Sequence, residues 1–176
     1  LHKLALTDEL TQLANRRCFV DSVETELSRC KRTTGNVTMM LIDLDLFKNI
    51  NDNYGHHAGD AALVHVAGLL KHALRQYDIV GRIGGEEFAI FLGSTDLETA
   101  KVIAERIRKS LEENPLPYQQ HSISMSASIG MTSQHCSVKF EQLYTEADEA
   151  LYKAKSKGRN RVELFAGAES AQTEPA

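Results

Sequence analysis

The segment Asp43-Leu44-Asp45-Leu46-Phe47-Lys48 sets two carboxylates at the end of the most apolar run in the chain, Val37 to Asp45. With a period of two, Met39, Leu41, Asp43 and Asp45 share one face of a strand and Met40, Ile42 and Leu44 the other. Carboxylates at the end of a buried strand are costly unless they meet a cation or cap a turn. A cation site and a simple cap of the next helical turn therefore both stand open. A second acidic group lies in Gly84-Gly85-Glu86-Glu87-Phe88. The glycines permit positive φ and a close approach of another molecule to the main chain, although two glutamates at a hairpin tip also make an ordinary solvated turn. If that hairpin pairs beside the Asp43 strand, Glu86 comes within reach of Asp43. Hard oxygen ligands there suit Mg²⁺, which uses few carboxylates and borrows substrate phosphates. Two such ions about 4 Å apart would clamp the attacking and leaving oxygens of a phosphoryl transfer.

Alternating helical and strand periods supply the elements that must position these groups. Helices are expected from about Asn15 to Thr33, from Asp60 to about Arg75, from Leu97 to before Pro115, and from Phe140 to Lys157, ending at Gly158. Thr95-Asp96-Leu97-Glu98 reads as a capping box for the third. Strands are expected at Val37–Asp45, Ile79–Ile83, Glu87–Leu92, Ser122–Thr132 and Arg161–Phe165, with a polar loop between Asp45 and Asp60. Because the central pair is a hairpin, the fold class is α+β: a mixed, mostly antiparallel sheet flanked by helices, of ferredoxin-like type. Residues 1–166 are expected to form one domain, with 1–14 expected to lead in from a missing N-terminal region and 167–176 to be a disordered tail.

Composition narrows the function classes. The chain has 176 residues, 42% hydrophobic and 25% charged, as a globular domain does. A net charge of -4 leaves no global footprint for a nucleic-acid polymer, so an anionic ligand must be held locally. No apolar run reaches the roughly 18 residues of a membrane span. Cys18, Cys30 and Cys136 are widely spaced and odd in number, which reads as reduced thiols in a cytoplasmic protein. Full-length tethering to a membrane through the N-terminal region is the variant of that expectation. His56 and His57 lack partners at zinc-ligand spacing, Met39 and Met40 read as core, and Tyr144 and Tyr152 as packing residues.

These motifs, in this order, resemble the GGDEF domain of diguanylate cyclases in its GGEEF form. The resemblance runs from Thr7-Asp8-Glu9-Leu10-Thr11 and Asn15-Arg16-Arg17 to Lys155-Ser156-Lys157-Gly158-Arg159-Asn160, nearly the whole chain apart from the tail. It implies a nucleotide-cyclase palm that condenses two GTP into cyclic di-GMP and two pyrophosphates. Each of two antiparallel protomers would bring one GTP, so one chain would hold half an active site. Mg²⁺, with Mn²⁺ as the alternative, would be bound as two ions per GTP. The resemblance assigns metal ligation to Asp43, Glu86 and the carbonyl of Leu44, and catalysis to Glu86 and Glu87. Of these two, Glu87 is the candidate for helping to deprotonate or position the ribose 3′-hydroxyl. GTP would be held by Phe47 and Lys48 at the phosphates, by Asn51 and Asp60 at guanine, and by Lys155 and Arg159 near the terminal phosphates. An Asp suits guanine N1–H and N2–H₂, and an Asn amide its O6 or N3.

Arg75-Gln76-Tyr77-Asp78 stands nine residues before Gly84 and matches the family's inhibitory RxxD, where the product cyclic di-GMP binds. Arg106 matches a secondary arginine of that site and Arg82 is a weaker candidate. An Arg and an Asp three apart also make an ordinary ion pair. Gln12 stands where relatives often carry Gly, a departure expected to spare the chemistry. The rival readings are a degenerate module that binds GTP or cyclic di-GMP and regulates an attached domain, and a helical scaffold that pairs chains. Retention of Asp43, Lys48, Glu86, Glu87 and Arg159 favours the enzyme.

Overall fold

The computed structural model describes residues 5–30 and 35–168. Asn15 caps the first helix, α1 (Arg16–Cys30): its Oδ1 accepts from the Cys18 N–H at 2.9 Å. The helix buries Phe19, Val23 and Leu27, the stripe at spacing four. β1 (Asn36–Leu44) follows, buried on both faces. The expected polar loop between Asp45 and Asp60 instead holds a helix, α2 (Phe47–Tyr54), and the first turn of α3 (His56–Ala73), the helix expected from Asp60; the two are broken at Gly55 with φ 91°. Ile50 and the partly buried Phe47 anchor α2 to the core, an apolar pair that its polar neighbours hide in the sequence.

β2 (Ile79–Arg82) and β3 (Glu87–Leu92) form the expected hairpin. Helix α4 (Leu97–Glu113) is capped one residue later than the capping box places it. Asp96 accepts from the Thr99 N–H at 2.8 Å, while the Thr95 hydroxyl donates to the Gly93 carbonyl. The expected Ser122–Thr132 strand divides. A small hairpin of β4 (Leu116–Tyr118) and β5 (His121–Ile123) precedes β6 (Ala127–His135), whose first residue pairs with Leu44, the last of β1. Helix α5 (Phe140–Ser156) and β7 (Arg161–Leu164) complete the chain's regular elements.

The main sheet has the order β2-β3-β1-β6-β7, antiparallel except for the parallel β6–β7 pair. The α+β, mixed and mostly antiparallel class is what the sequence predicts. One face carries Met40, Ile42, Leu44, Phe88 and Ile90 against α2, α3 and α4. The other carries Met39, Leu41, Ala89 and Phe91 against α1 and α5. Helix α5 lies so close to β6 that a Cβ at Gly130 would come within 2.1 Å of the Leu151 amide nitrogen. A glycine is therefore what lets this helix backbone reach the sheet, and that approach brings its last turn to the end of β1.

Of the expected tail, Gly167 and Ala168 lie in a turn, with the Ala168 N–H on the Phe165 carbonyl and Ala168 buried. Residues 169–176 lie outside the described residues, as do residues 1–4 of the lead-in segment. Tyr152 is 75% exposed and packs no core, contrary to expectation. Among the described residues no helix is long and apolar enough to cross a membrane.

Candidate active site

The register of β1 with β3 sets Asp43 directly opposite Glu87. Both stand on the face that carries Met39, Leu41, Ala89 and Phe91. Glu87, and not Glu86, is thus the glutamate facing Asp43; Glu86 meets β1 through its main chain, its carbonyl accepting from the Leu44 N–H at 3.2 Å. The length of the hairpin tip sets this parity. Lys155, from the last turn of α5, donates to Asp43 Oδ2. Glu87 Oε1 is buried and has no hydrogen-bond partner. Burial first, then the charges of Asp43 and Asp148, push the Glu87 carboxyl above its ordinary value, with Lys155 and Arg16 working against them.

A partnerless carboxylate oxygen facing a second carboxylate is a natural place for a cation. Among the described residues no three Asp, Glu, His or Cys side chains converge into a closed cage. A sparse donor set of that kind suits Mg²⁺, which keeps waters and takes phosphate oxygens.

The hairpin tip is held from the lead-in segment. Arg82 donates to the Gly85 carbonyl at 3.1 and 2.8 Å and to both oxygens of Asp8 at 3.1 Å. Asp8 also accepts from the Thr11 N–H and hydroxyl; burial opposes its charge, but these bonds and Arg82 carry its carboxyl below its ordinary value. Arg82 is thereby committed to the tip. Neither Gly84 nor Gly85 has positive φ, so backbone conformation does not require them. A Cβ at Gly84 would press on Glu87 at 3.3 Å, and Gly85 faces open space.

On the far side of β1, Leu46 takes a left-handed φ of 55° and starts α2. Phe47 and Lys48 therefore sit in its first turn, where free N–H groups and the helix dipole favour anions. Asn51 lies one turn on, against α3: a Cβ at Gly59 would fall 1.9 Å from Asn51 Oδ1. Asp60 follows Gly59 and is exposed. Asn51 thus lies on a helix where a loop was expected, packed against the residue that precedes Asp60. Arg159 is exposed in the turn after α5.

Arg75 and Asp78 lie apart from this edge. Arg75 donates to Asp78 through its N–H (2.8 Å), Nε (3.3 Å) and Nη2 (3.2 Å), and stacks 4.6 Å over the Tyr77 ring. Hydrogen bonding to Asp78 holds the guanidinium pKa above its ordinary value. Arg106 donates to the Ala73 carbonyl at 3.0 Å, which places it at the same corner, at the end of α3.

The GGDEF family, described as "Diguanylate cyclase, GGDEF domain", matches residues 5–161. The chain belongs to the GGDEF family. It is 40% identical over 160 residues to the diguanylate cyclase DgcP of Pseudomonas aeruginosa, covering 91% of this chain and 24% of DgcP. Across such curated cyclases the chain spans 24% to 51% of the relative's length. The active GGEEF domain of a diguanylate cyclase from Vibrio cholerae superposes with a TM-score of 0.80 at 37% identity, over 88% of this chain and 98% of that one. The GGDEF domain of DgcB from Caulobacter crescentus, in complex with c-di-GMP, gives a TM-score of 0.88 at 28% identity, over 94% and 96%.

In this GGDEF domain several groups have roles that the motifs did not reveal. Arg16 and Asp148 act on Glu87 through charge, and Asp8 with Arg82 fixes the tip. Their signal was present, since Asp8 and Arg16 lie inside the Thr7–Thr11 and Asn15–Arg17 motifs. Gln12, in the position where relatives often carry Gly, has a positive φ of 61°.

Proposed function

We propose that this domain condenses two GTP into cyclic di-GMP and two pyrophosphates, in the cytoplasm, as a dimer of half-sites. The observation that carries the reading is the buried, partnerless Glu87 Oε1 facing Asp43. Asp43 and Glu87, with the carbonyl of Leu44, would hold a divalent cation, Mg²⁺ before Mn²⁺, and two ions would serve each GTP. When bound, the metal neutralises phosphate charge and acidifies the ribose hydroxyl. Glu86 has no side-chain partner among the described residues and is the carboxylate left for the 3′-hydroxyl. This reading exchanges the duties that the resemblance implied for the two glutamates, with the Asp43–Glu87 register in its support. Phe47 and Lys48 bind phosphates, Asn51 and Asp60 read guanine, and Lys155 and Arg159 steady the terminal phosphates. A site that pairs guanine donors with Asp60 rejects ATP by leaving that carboxylate unmatched.

Product binds at Arg75 and Asp78, with Arg106, and slows synthesis. Support comes from their shared corner and from the c-di-GMP complex of the DgcB domain. Incubating the purified domain with GTP and Mg²⁺ and resolving the products by chromatography tests the reading. Cyclic di-GMP and pyrophosphate are expected; none from a dimeric sample overturns the enzyme. GTP binding without turnover selects the receptor instead.

A further inference from the structure

Asp45 is the carboxylate that this chemistry leaves unused, and it is fully engaged. Its Oδ2 accepts from the Ser126 hydroxyl at 2.7 Å and the Asn160 N–H at 2.9 Å, and its Oδ1 from the Ser128 hydroxyl at 2.6 Å. Its own N–H donates to the Ser126 carbonyl at 2.9 Å. With these donors in place, its oxygens are poorly available to a metal. Three segments meet on this one side chain: the end of β1 where it enters the Leu46–Lys48 loop, the start of β6, and the turn after α5.

That turn is unusual. Gly158, Arg159 and Asn160 have φ of 118°, 65° and 44°, a run of left-handed backbone that only glycine adopts freely. Such a conformation persists where its surroundings hold it. Asp45 holds the Asn160 N–H from one side. From the other, Arg108 Nη1 donates to Asn160 Oδ1 at 2.9 Å, and Arg108 is itself fixed by Glu105 at 2.7 Å and Glu112 at 2.6 Å. Arg159 is the middle residue of the turn, so the direction its side chain takes from the backbone depends on this grip.

We infer that Asp45 is a positioning residue: it locks the left-handed Gly158–Asn160 turn to the loop that opens α2, so that Arg159 and the phosphate loop address the same triphosphate. The inference rests on the reading of this edge as a GTP site. An Asp that merely supported the fold would weaken every nucleotide alike; one that aims Arg159 weakens only ligands that reach it.

The test measures affinity, with Mg²⁺ present, for a GTP analogue carrying a non-cleavable α,β-methylene bridge, and for GMP by competition. Wild type, Asp45→Ala, Arg159→Ala and the double variant are compared. Each single change is expected to weaken the triphosphate roughly ten-fold and leave GMP unchanged, and the double variant to be no weaker than Arg159→Ala alone. Losses that multiply in the double variant, or an equal loss for GMP, overturn the inference while leaving the GTP site intact. No loss in Arg159→Ala removes Arg159 from the phosphates, and overturns both that assignment and the inference. If Asp45→Ala does not fold, Asn160→Gly replaces it in the cycle. That change keeps the positive φ and the N–H to Asp45 but releases Arg108, and it should show the same non-additivity with Arg159→Ala on a smaller scale; multiplying losses there overturn the inference as well.

Discussion

The edge of the sheet at Asp43 and the corner at Arg75 both gather opposite charges, yet they are left in opposite states. At the first, two carboxylates face each other, a single ammonium reaches one of them, and an oxygen of Glu87 has no partner. At the second, Arg75 binds Asp78 through three donors and covers Tyr77, and the Asp78 side chain is 1% exposed. Unpaired charge marks a place built for a ligand that brings the missing counter-charge. Paired charge marks a place where a ligand must first displace an internal bond. On the proposed reading, the difference predicts tight, obligatory cation binding at the edge and a weaker, adjustable response at the corner.

Glu87→Gln should break the edge most severely. It removes the negative charge that faces Asp43 while keeping the shape, and synthesis should fall by roughly 10²–10³-fold. Initial rates of pyrophosphate release check this, and turnover at the wild-type rate would place Glu87 outside the mechanism. Binding of cyclic di-GMP at the corner should survive, since no residue there touches Glu87.

Gly59→Ala separates recognition from metal binding. The added methyl would collide with Asn51 Oδ1 and press on the tip of the Phe47 ring at 3.1 Å; both are side-chain ends that can give, so the fold should stand while Asn51 leaves its place. The loss of one neutral hydrogen bond to guanine predicts about a ten-fold fall in kcat/KM, carried by KM. A change in kcat alone would show that Asn51 serves the chemistry and not the base.

Arg75→Ala tests the corner. A charge-assisted contact to product is worth about ten-fold or more, but the free arginine already spends its donors on Asp78. The inhibition constant should therefore rise by no more than about ten-fold, with initial rates at low product unchanged. An unaltered inhibition curve would reduce the RxxD to an ion pair.

Much of this was readable in the chain because it was local. The apolar run ending in Asp43, the glycine-flanked hairpin and the helix stripes are periodic patterns that burial enforces. Which glutamate faces Asp43 was not readable, because a one-residue change in hairpin parity swaps the faces of Glu86 and Glu87. Helix α2 escaped because two apolar anchors, Phe47 and Ile50, hold an otherwise polar segment. The clamps escaped for another reason: Arg82 reaches Asp8 across 74 positions and Asp45 reaches the Asn160 turn across 115. No local rule connects such residues; only the packing of α5 onto Gly130 and the pairing of β1 with β6 bring the second pair together.

The smallest expected effect is also the one that separates the two regions by sign. Burial and the neighbouring acids hold the Glu87 carboxyl above its ordinary value of 4.5. The native chain therefore binds this proton more tightly than the unfolded chain does. Its contribution to stability is full below that ordinary value and is lost as pH rises through the raised one. Above that window the ionised Glu87 opposes folding, as long as no cation is bound. Glu87→Gln mimics the protonated acid, so without metal it should melt a few degrees above wild type at neutral pH, the gap closing toward pH 4. Adding Mg²⁺ should raise the wild-type melting temperature more than the variant's. Arg75→Ala should do the reverse and lower the melting temperature at neutral pH, because it strips the side-chain partner from a buried Asp78. If both variants melt below wild type in scanning calorimetry without metal, Glu87 is a satisfied residue like Asp78, and the contrast between edge and corner fails.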